Sequence, residues 1–144
     1  MKSLLRLFAI TIGIFMLAGC ATGPKYTEMA GALPALKTEH GRIYIYRTTV
    51  LGAAIQPDVR LNDRVVGKAK PNGFFYVDVT PGDYRIATTT EVERQLSLVV
   101  EPGMTRYVRL DISIGFVVGH VYPQLVDNVV GEAEIKQCSY IGQP

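Results

Sequence analysis

Between residues 42 and 113, apolar and polar positions alternate in short runs, and each run stops at a turn signal. The first run, Arg42-Ile43-Tyr44-Ile45-Tyr46-Arg47, is β-branched and aromatic, a composition that suits a pleated surface. Residues 57–62 alternate with Val59 and Leu61 on one face and Asp58 and Arg60 on the other. Asn62-Asp63 reads as a turn from which residues 64–70 return as a second arm. Pro71-Asn72-Gly73 turns the chain again, because Asn and Gly tolerate positive φ. Residues 74–80 then set Phe75, Val77 and Val79 on one face and Tyr76 and Asp78 on the other. Pro81-Gly82-Asp83 and Pro102-Gly103-Met104 read as type II turns, with proline fixing the first turn position and glycine taking the left-handed second. Between them lie arms at 84–91 and 94–101, the second with Leu96, Leu98 and Val100 on one face. Residues 106–113 put Val108, Leu110 and Ile112 inward and Tyr107, Arg109 and Asp111 outward.

Short alternating runs at this spacing predict an antiparallel sandwich or small barrel, and none of the runs carries a helical stripe. The last thirty residues are less regular. Residues 114–121 are apolar but broken by Gly115 and Gly119, and Tyr122-Pro123 limits continuation of a strand. Residues 124–135 fit either a strand pair turning at Asp127-Asn128 or a short helix over 132–138, and periodicity does not arbitrate over so few positions. The resulting fold class is all-β. The core available between residues 42 and 138 is modest.

The chain before residue 41 has a different texture. Residues 1–19 carry Lys2 and Arg6 ahead of an apolar run that ends in small residues, the layout of a secretory signal. The uncharged stretch 7–22 is 16 residues long, whereas a membrane-spanning helix needs about 20, so a cleaved signal is expected rather than a retained span. Leu17-Ala18-Gly19-Cys20 resembles the lipobox of bacterial lipoproteins, which implies diacylglycerol on the Cys20 thiol, cleavage before Cys20 and N-acylation of the new terminus. Two or three acyl chains anchor stably where one alone is marginal. Ala21 in place of Asp after that cysteine implies, by the enterobacterial sorting rule, the periplasmic face of the outer membrane. Residues 21–39 hold Gly23-Pro24 and Leu33-Pro34 and no period-2 run, so they are expected to be a spacer, although the second half, Met29 to Leu36, is apolar enough to lie along the domain surface. The expected organisation is a signal peptide at 1–19, a lipidated terminus and tether at 20–40, a β-sandwich domain at 41–138 and a tail at 139–144.

The series Gly41-Arg-Ile-Tyr-Ile-Tyr-Arg47, Pro57-Asp-Val-Arg-Leu-Asn62, Val66-Gly67, Gly73-Phe-Phe-Tyr-Val-Asp78 and Pro81-Gly-Asp-Tyr84 resembles a family of short bacterial envelope lipoproteins whose domain has no assigned function. The likeness covers residues 25–113. Its Pro-Gly-x-Tyr turn is similar to those of transthyretin-like and PEGA-type domains. The resemblance implies a single antiparallel Greek-key sandwich of about seven strands and no catalytic activity.

Composition narrows the chemistry. The 144 residues hold 15 Lys and Arg against 13 Asp and Glu. Loss of Lys2 and Arg6 with the signal brings the basic count to 13 as well, leaving no excess of the kind nucleic acid requires. His40 and His120 are the only histidines, and Ser97, Ser113 and Ser139 lack a nucleophile elbow, so no catalytic triad is expected. Asp58, Asp63, Asp78, Asp83 and Asp111 lack calcium-loop spacing, and no metal or cofactor is expected. With Cys20 committed to lipid, Cys138 has no partner in its own chain: it is either a buried thiol or a link to a second copy. A Cys20–Cys138 disulfide is the alternative if Cys20 is not lipidated. Tyr44, Tyr46, Tyr76, Tyr84 and Tyr107, interleaved with Arg42, Arg47, Arg60 and Arg109, suit either sheet packing or a binding face. Tyr84 is expected at a corner, bonded to nearby backbone.

The functional expectation is a lipid-anchored, non-enzymatic accessory or interaction module facing the periplasm, with an envelope protein as partner. The alternative is a module that binds a small ligand or inhibits an enzyme through a Tyr- and Arg-lined pocket.

Overall fold

A computed structural model describes residues 20–114 and 119–142. The expected signal peptide, and part of the apolar stretch after residue 113, lie outside the described residues. The described chain runs α1 (Tyr26–Met29), β1 (Gly41–Arg47), β2 (Asp58–Leu61), β3 (Arg64–Lys68), β4 (Gly73–Val79), β5 (Gly82–Thr89), β6 (Glu93–Val100), β7 (Thr105–Ile114), β8 (Gly119–Val126), α2 (Asn128–Ile135) and β9 (Ser139–Tyr140). The strands form a five-stranded sheet, β8-β7-β1-β4-β9, and a four-stranded sheet, β3-β2-β5-β6. The two sheets pack face to face, so the chain is an all-β sandwich.

Most neighbouring strands are antiparallel, as local hairpins require. Two pairs are parallel: β1 with β7 and β4 with β9. Parallel pairing joins strands far apart in sequence, which no turn signal announces. The tight turns behave as read. Asn62 and Asp63 sit at φ 46° and 68°, the pair of left-handed positions that a two-residue hairpin needs. Gly103 sits at φ 72°, and the Met104 amide donates to the Glu101 carbonyl at 3.1 Å, closing that turn. Gly82 differs: it is already the first residue of β5, paired with Val100.

Between the sheets lies an aliphatic core. Ile43, Ile45, Val59, Leu61, Phe75, Val79, Ile86, Leu98, Val100, Val108, Leu110 and Val121 are buried there, supported by Val77, Leu96 and Ile112. Val59, Leu61, Phe75, Val77, Val79, Leu96, Leu98, Val100, Val108, Leu110 and Ile112 are the inward positions that alternation assigned. One long side of the sandwich is closed where the Thr88 hydroxyl, fully buried, donates to the Val121 carbonyl at 2.6 Å. Pro123 lies within β8 opposite Leu110. It does not end the strand, because β8 is at a sheet edge, where a missing N–H is tolerated.

The other face of the five-stranded sheet is covered too. Tyr44, Tyr46, Phe74, Tyr107, Ile135 and Cys138 form a second buried cluster, with Tyr26, Met29 and Leu33 packed on it. This explains why every residue of β1 is buried. Its alternate side chains serve two cores, so it reads as a near-continuous apolar run. The residues left open between strand and helix after Gln124 resolve as the end of β8 followed by α2. Asp127 caps that helix, its carboxylate accepting from the Val129 amide at 2.8 Å. Gly131 lets α2 lie directly on the Tyr107 ring, where an added Cβ would collide with Tyr107 Cβ and Cγ.

The segment expected as a spacer is docked instead. The Ala21 amide donates to the Pro71 carbonyl at 3.1 Å, Tyr140 N to Pro24 O at 2.8 Å, and Tyr26 N to Cys138 O at 3.0 Å. Tyr26 sits edge-on to Tyr44 and Phe74, at 5.7 and 5.4 Å between ring centres. The apolar residues in this stretch satisfy a face that the sheet alone leaves uncovered. The expected tail likewise contributes structure, since Ser139 and Tyr140 pair with Gly73 and Phe74.

Candidate functional site

Cys20 is exposed and unbonded. Its position in the fold follows from strand register. Arg47, the last residue of β1, lies opposite Gly73, and the chain just before Gly73 holds Ala21 through Pro71. β7 runs parallel to β1, so its C-terminal residue Ile114 finishes at the same end. The turn after β5 joins them there through Thr90 Oγ1 and His120 Nδ1, 3.1 Å apart. One end of the sandwich therefore gathers Cys20, the loop 48–56, the turn 90–92 and the paired ends of β7 and β8 at Ile114 and Gly119.

That end is organised by Arg47. Its guanidinium is completely buried and, among the described residues, bonds only backbone carbonyls. Nε donates to Thr49 O at 3.2 Å, Nη1 to Ile55 O and Ala69 O at 2.7 and 2.8 Å, and Nη2 to Leu51 O and Gly52 O at 2.6 and 3.0 Å. All five donors of the fork are used. Burial alone lowers the pKa of the group, yet a guanidinium keeps its proton. The loop 48–56 is thus wrapped around a cation, with its carbonyls inward and the Val50 and Leu51 side chains outward, 56% and 51% exposed.

Arg60 is exposed on β2, whereas Tyr44, Tyr46, Tyr107, Arg42 and Arg109 are engaged within the fold. Tyr44 stacks on Tyr107 at 5.2 Å, and burial raises both phenol pKa values. Arg42 forms a bidentate pair with Asp78 at 2.6 and 2.8 Å, donates to Pro34 O and stands 4.5 Å above the Tyr76 ring. The hydrogen bond to Asp78 raises its pKa against the opposing effect of burial. Arg109 bridges Asp111, at 2.8 and 3.0 Å, to Glu134 of α2 at 2.9 Å. The Tyr46 hydroxyl donates to the same Glu134 carboxylate at 2.6 Å. Burial, then the Glu134 contact, hold that phenol protonated far above the usual range. Tyr84 is the expected corner, its hydroxyl donating to Thr80 O at 2.7 Å. The face that carries Tyr44, Tyr46, Tyr107 and Arg109 is therefore covered by α1 and α2 as a second core.

The remaining candidates are dispersed. His40 precedes β1 and contacts Thr38 O at 3.1 Å, at the end opposite His120. Four of the five aspartates are ion-paired: Asp58 with Lys68, Asp63 with Arg85, Asp78 with Arg42 and Asp111 with Arg109. Among the described residues, no three His, Cys, Asp or Glu side chains gather as a metal site would require. Cys138 is fully buried, its thiol pKa pushed up to about 12 by burial, and its sulfur faces Arg47 O at 3.7 Å. Of the two expectations for Cys138, a buried thiol or a link to a second copy, the position in the fold is that of a buried thiol. A Cys20–Cys138 bond is not formed.

One long side of the sandwich stays open. β9 covers only Gly73 and Phe74 of β4, and opposite the rest of β4 stands the unpaired edge of β3. The cleft between them, about 360 Å³, has Leu61, Val66, Val77 and Val79 in its walls and Arg64 and Asp78 at its polar margin. Sequence reasoning missed Glu134, which ties α2 to the sheet, and the loop tip Val50-Leu51. The apolar pair beside Gly52, in a segment without strand alternation, was the available signal for the latter.

The fold and the dispersed chemistry define a β-sandwich domain with a docked N-terminal segment and a cysteine exposed where the chain enters. Residues 37–121 match the family described as "Protein of unknown function (DUF2846)", and the chain belongs to that family. It is also similar to an uncharacterized protein of Haemophilus influenzae, 29% identical over 135 residues that cover 90% of this chain and 80% of the relative.

Proposed function

We propose that this protein is a lipid-anchored lipoprotein of the bacterial cell envelope, held by acyl chains on Cys20, with a non-enzymatic sandwich facing the periplasm as an accessory or interaction domain. The observation that carries the reading is the Leu17-Ala18-Gly19-Cys20 motif behind a signal layout. An exposed, unbonded Cys20 at the entry to the folded domain agrees with it. Ala21 favours the outer membrane. Among the described residues no helix is long and apolar enough to cross a membrane, so on this reading the lipid supplies the attachment. The open edge along β3 and β4 is the surface on which the domain takes an extended segment of an envelope partner, since unpaired strand edges accept an added strand.

Metabolic labelling with an alkyne palmitate tests the anchor. The wild-type chain takes label and sediments with membranes, Cys20→Ser loses both, and globomycin accumulates the unprocessed form. An unlabelled wild-type chain, or a Cys20→Ser chain still bound to membranes, would overturn the reading. A photo-crosslinking residue at Val65, beside the open cleft, tests the interaction role in intact cells. A discrete adduct is expected there, and its absence alongside an adduct from the opposite edge at β8 would exclude that surface.

A further inference from the structure

We infer that the end of the sandwich bearing Cys20 lies directly on the bilayer, with the loop tips around it entering the lipid headgroup layer. This deepens the lipid-anchor reading and rests on it. The first observation is the lack of slack. Ala21, the residue after Cys20, is already held on the domain by its hydrogen bond to Pro71, and the following residues are tied to Cys138 and Tyr140. One peptide unit spans about 3.8 Å between Cα atoms, so acyl chains on Cys20 start at the domain surface. A spacer cannot lift the domain away from the membrane, because the segment that would serve as one is folded onto the sheet.

The second observation is what surrounds that point. Val50 and Leu51 on the loop 48–56, Val92 in the turn after β5 and Ile114 at the end of β7 project at the same end, 56%, 51%, 50% and 77% exposed. Two separate connections and the end of β7 each present apolar side chains there, where turns ordinarily carry polar ones. Arg47 makes the presentation stiff, since four of its five hydrogen bonds turn loop carbonyls inward and leave the side chains of the tip pointing out. Gly52 packs close to Ile112 of β7, so the loop is seated against that strand. Glu91 and Glu93 flank Val92 while Lys68 and Lys70 lie across the same end, so net charge does not drive the contact. The lipid brings the end to the membrane, and the apolar tips fix its orientation. Elsewhere, Val65, Val99 and Leu125 are exposed singly on β3, β6 and β8, and Val129 and Val130 on the first turn of α2, at the opposite end.

The chain has no tryptophan, so single substitutions give clean depth reporters. The acylated protein, purified from membranes, is reconstituted on vesicles of phosphatidylethanolamine and phosphatidylglycerol with brominated acyl chains. Leu51→Trp and Val92→Trp are compared with Val129→Trp. The expected result is flotation of all three, a blue-shifted emission, and quenching several-fold stronger for Leu51→Trp and Val92→Trp than for Val129→Trp. Flotation with equal or reversed quenching would overturn the apposition and leave the anchor standing. Failure of the wild-type chain to float would overturn the anchor and the apposition with it. Hydrogen exchange of the unsubstituted chain gives the same answer without relying on a variant: slowed exchange at residues 49–52 and 90–92 on vesicles supports the inference, and exchange unchanged from detergent solution overturns it.

Discussion

Replacing Arg47 by methionine removes the cation around which the loop 48–56 is built while keeping a long apolar stem in the core. Five carbonyl oxygens lose their donors. The bond to Ala69 O is buried, and an acceptor left unpaired there costs about 1–3 kcal/mol. Thr49, Leu51, Gly52 and Ile55 supply the other four carbonyls, all from the loop itself. Leaving these dry as well would cost more than the loop gains by packing, so the loop opens and rehydrates, and the loss levels off at about 3–5 kcal/mol. Recovery of the desolvation cost of the guanidinium is already set against that figure. Arg47→Lys keeps the charge but has three donors for five acceptors, and a loss of about 2–3 kcal/mol is expected. Urea unfolding of the folded domain reads both losses as lower midpoints at nearly constant slope. Hydrogen exchange should show residues 49–56 opening in Arg47→Met while β5 and β6 remain protected. A methionine variant with a wild-type midpoint and an unchanged loop would refute the claim that this cation holds the loop, because hydrophobic replacement would then have compensated every orphaned carbonyl.

Three further substitutions test the packing. Gly131→Ala lies in a helix, where alanine is ordinarily better by about 1 kcal/mol. Here the added Cβ strikes Tyr107, so a net destabilisation of about 1–3 kcal/mol is expected in thermal or urea melts. Tyr84→Phe removes only the hydroxyl that bonds Thr80 O and should cost about 0.5–1.5 kcal/mol in the same assay. Cys138 should resist alkylation in the native Cys20→Ser chain and react promptly in urea. Its folded pKa, about 12, stands above the ordinary value of 9.0. Its contribution to stability is therefore full below pH 9 and is lost as the pH rises toward 12, by up to about 1.4 kcal/mol per unit. Cys138→Ala should flatten that decline, and an equal slope in both chains would disprove the assignment to this thiol.

Alternation was enough to place most strands of the sandwich and their inward residues. Val59, Leu61, Phe75, Leu98, Val100, Val108 and Leu110 are all buried where period 2 put them. The Asn62-Asp63 and Pro102-Gly103 turns were equally legible, because positive φ and fixed φ are properties of single residues. The Tyr84 corner followed from the same local logic. What alternation reads as the outer face of β1, β4 and β7 is another matter. Tyr44, Tyr107 and Arg109 have the chemistry of a solvated or binding face, and only the arrival of α1 and α2 makes them core and ion-pair partners.

The sequence by itself determined the all-β class, the main hairpins and the motif at Cys20, since each depends on neighbours within a few residues. Tertiary structure alone decided the parallel pairings β1–β7 and β4–β9, the docking of residues 21–40, the burial of Cys138 and the gathering of Val50, Leu51, Val92 and Ile114 around Cys20. The physical reason is separation along the chain. These contacts join segments tens of residues apart, and their free energy comes from covering one particular sheet face and one particular end, surfaces that exist only once the sheets have formed.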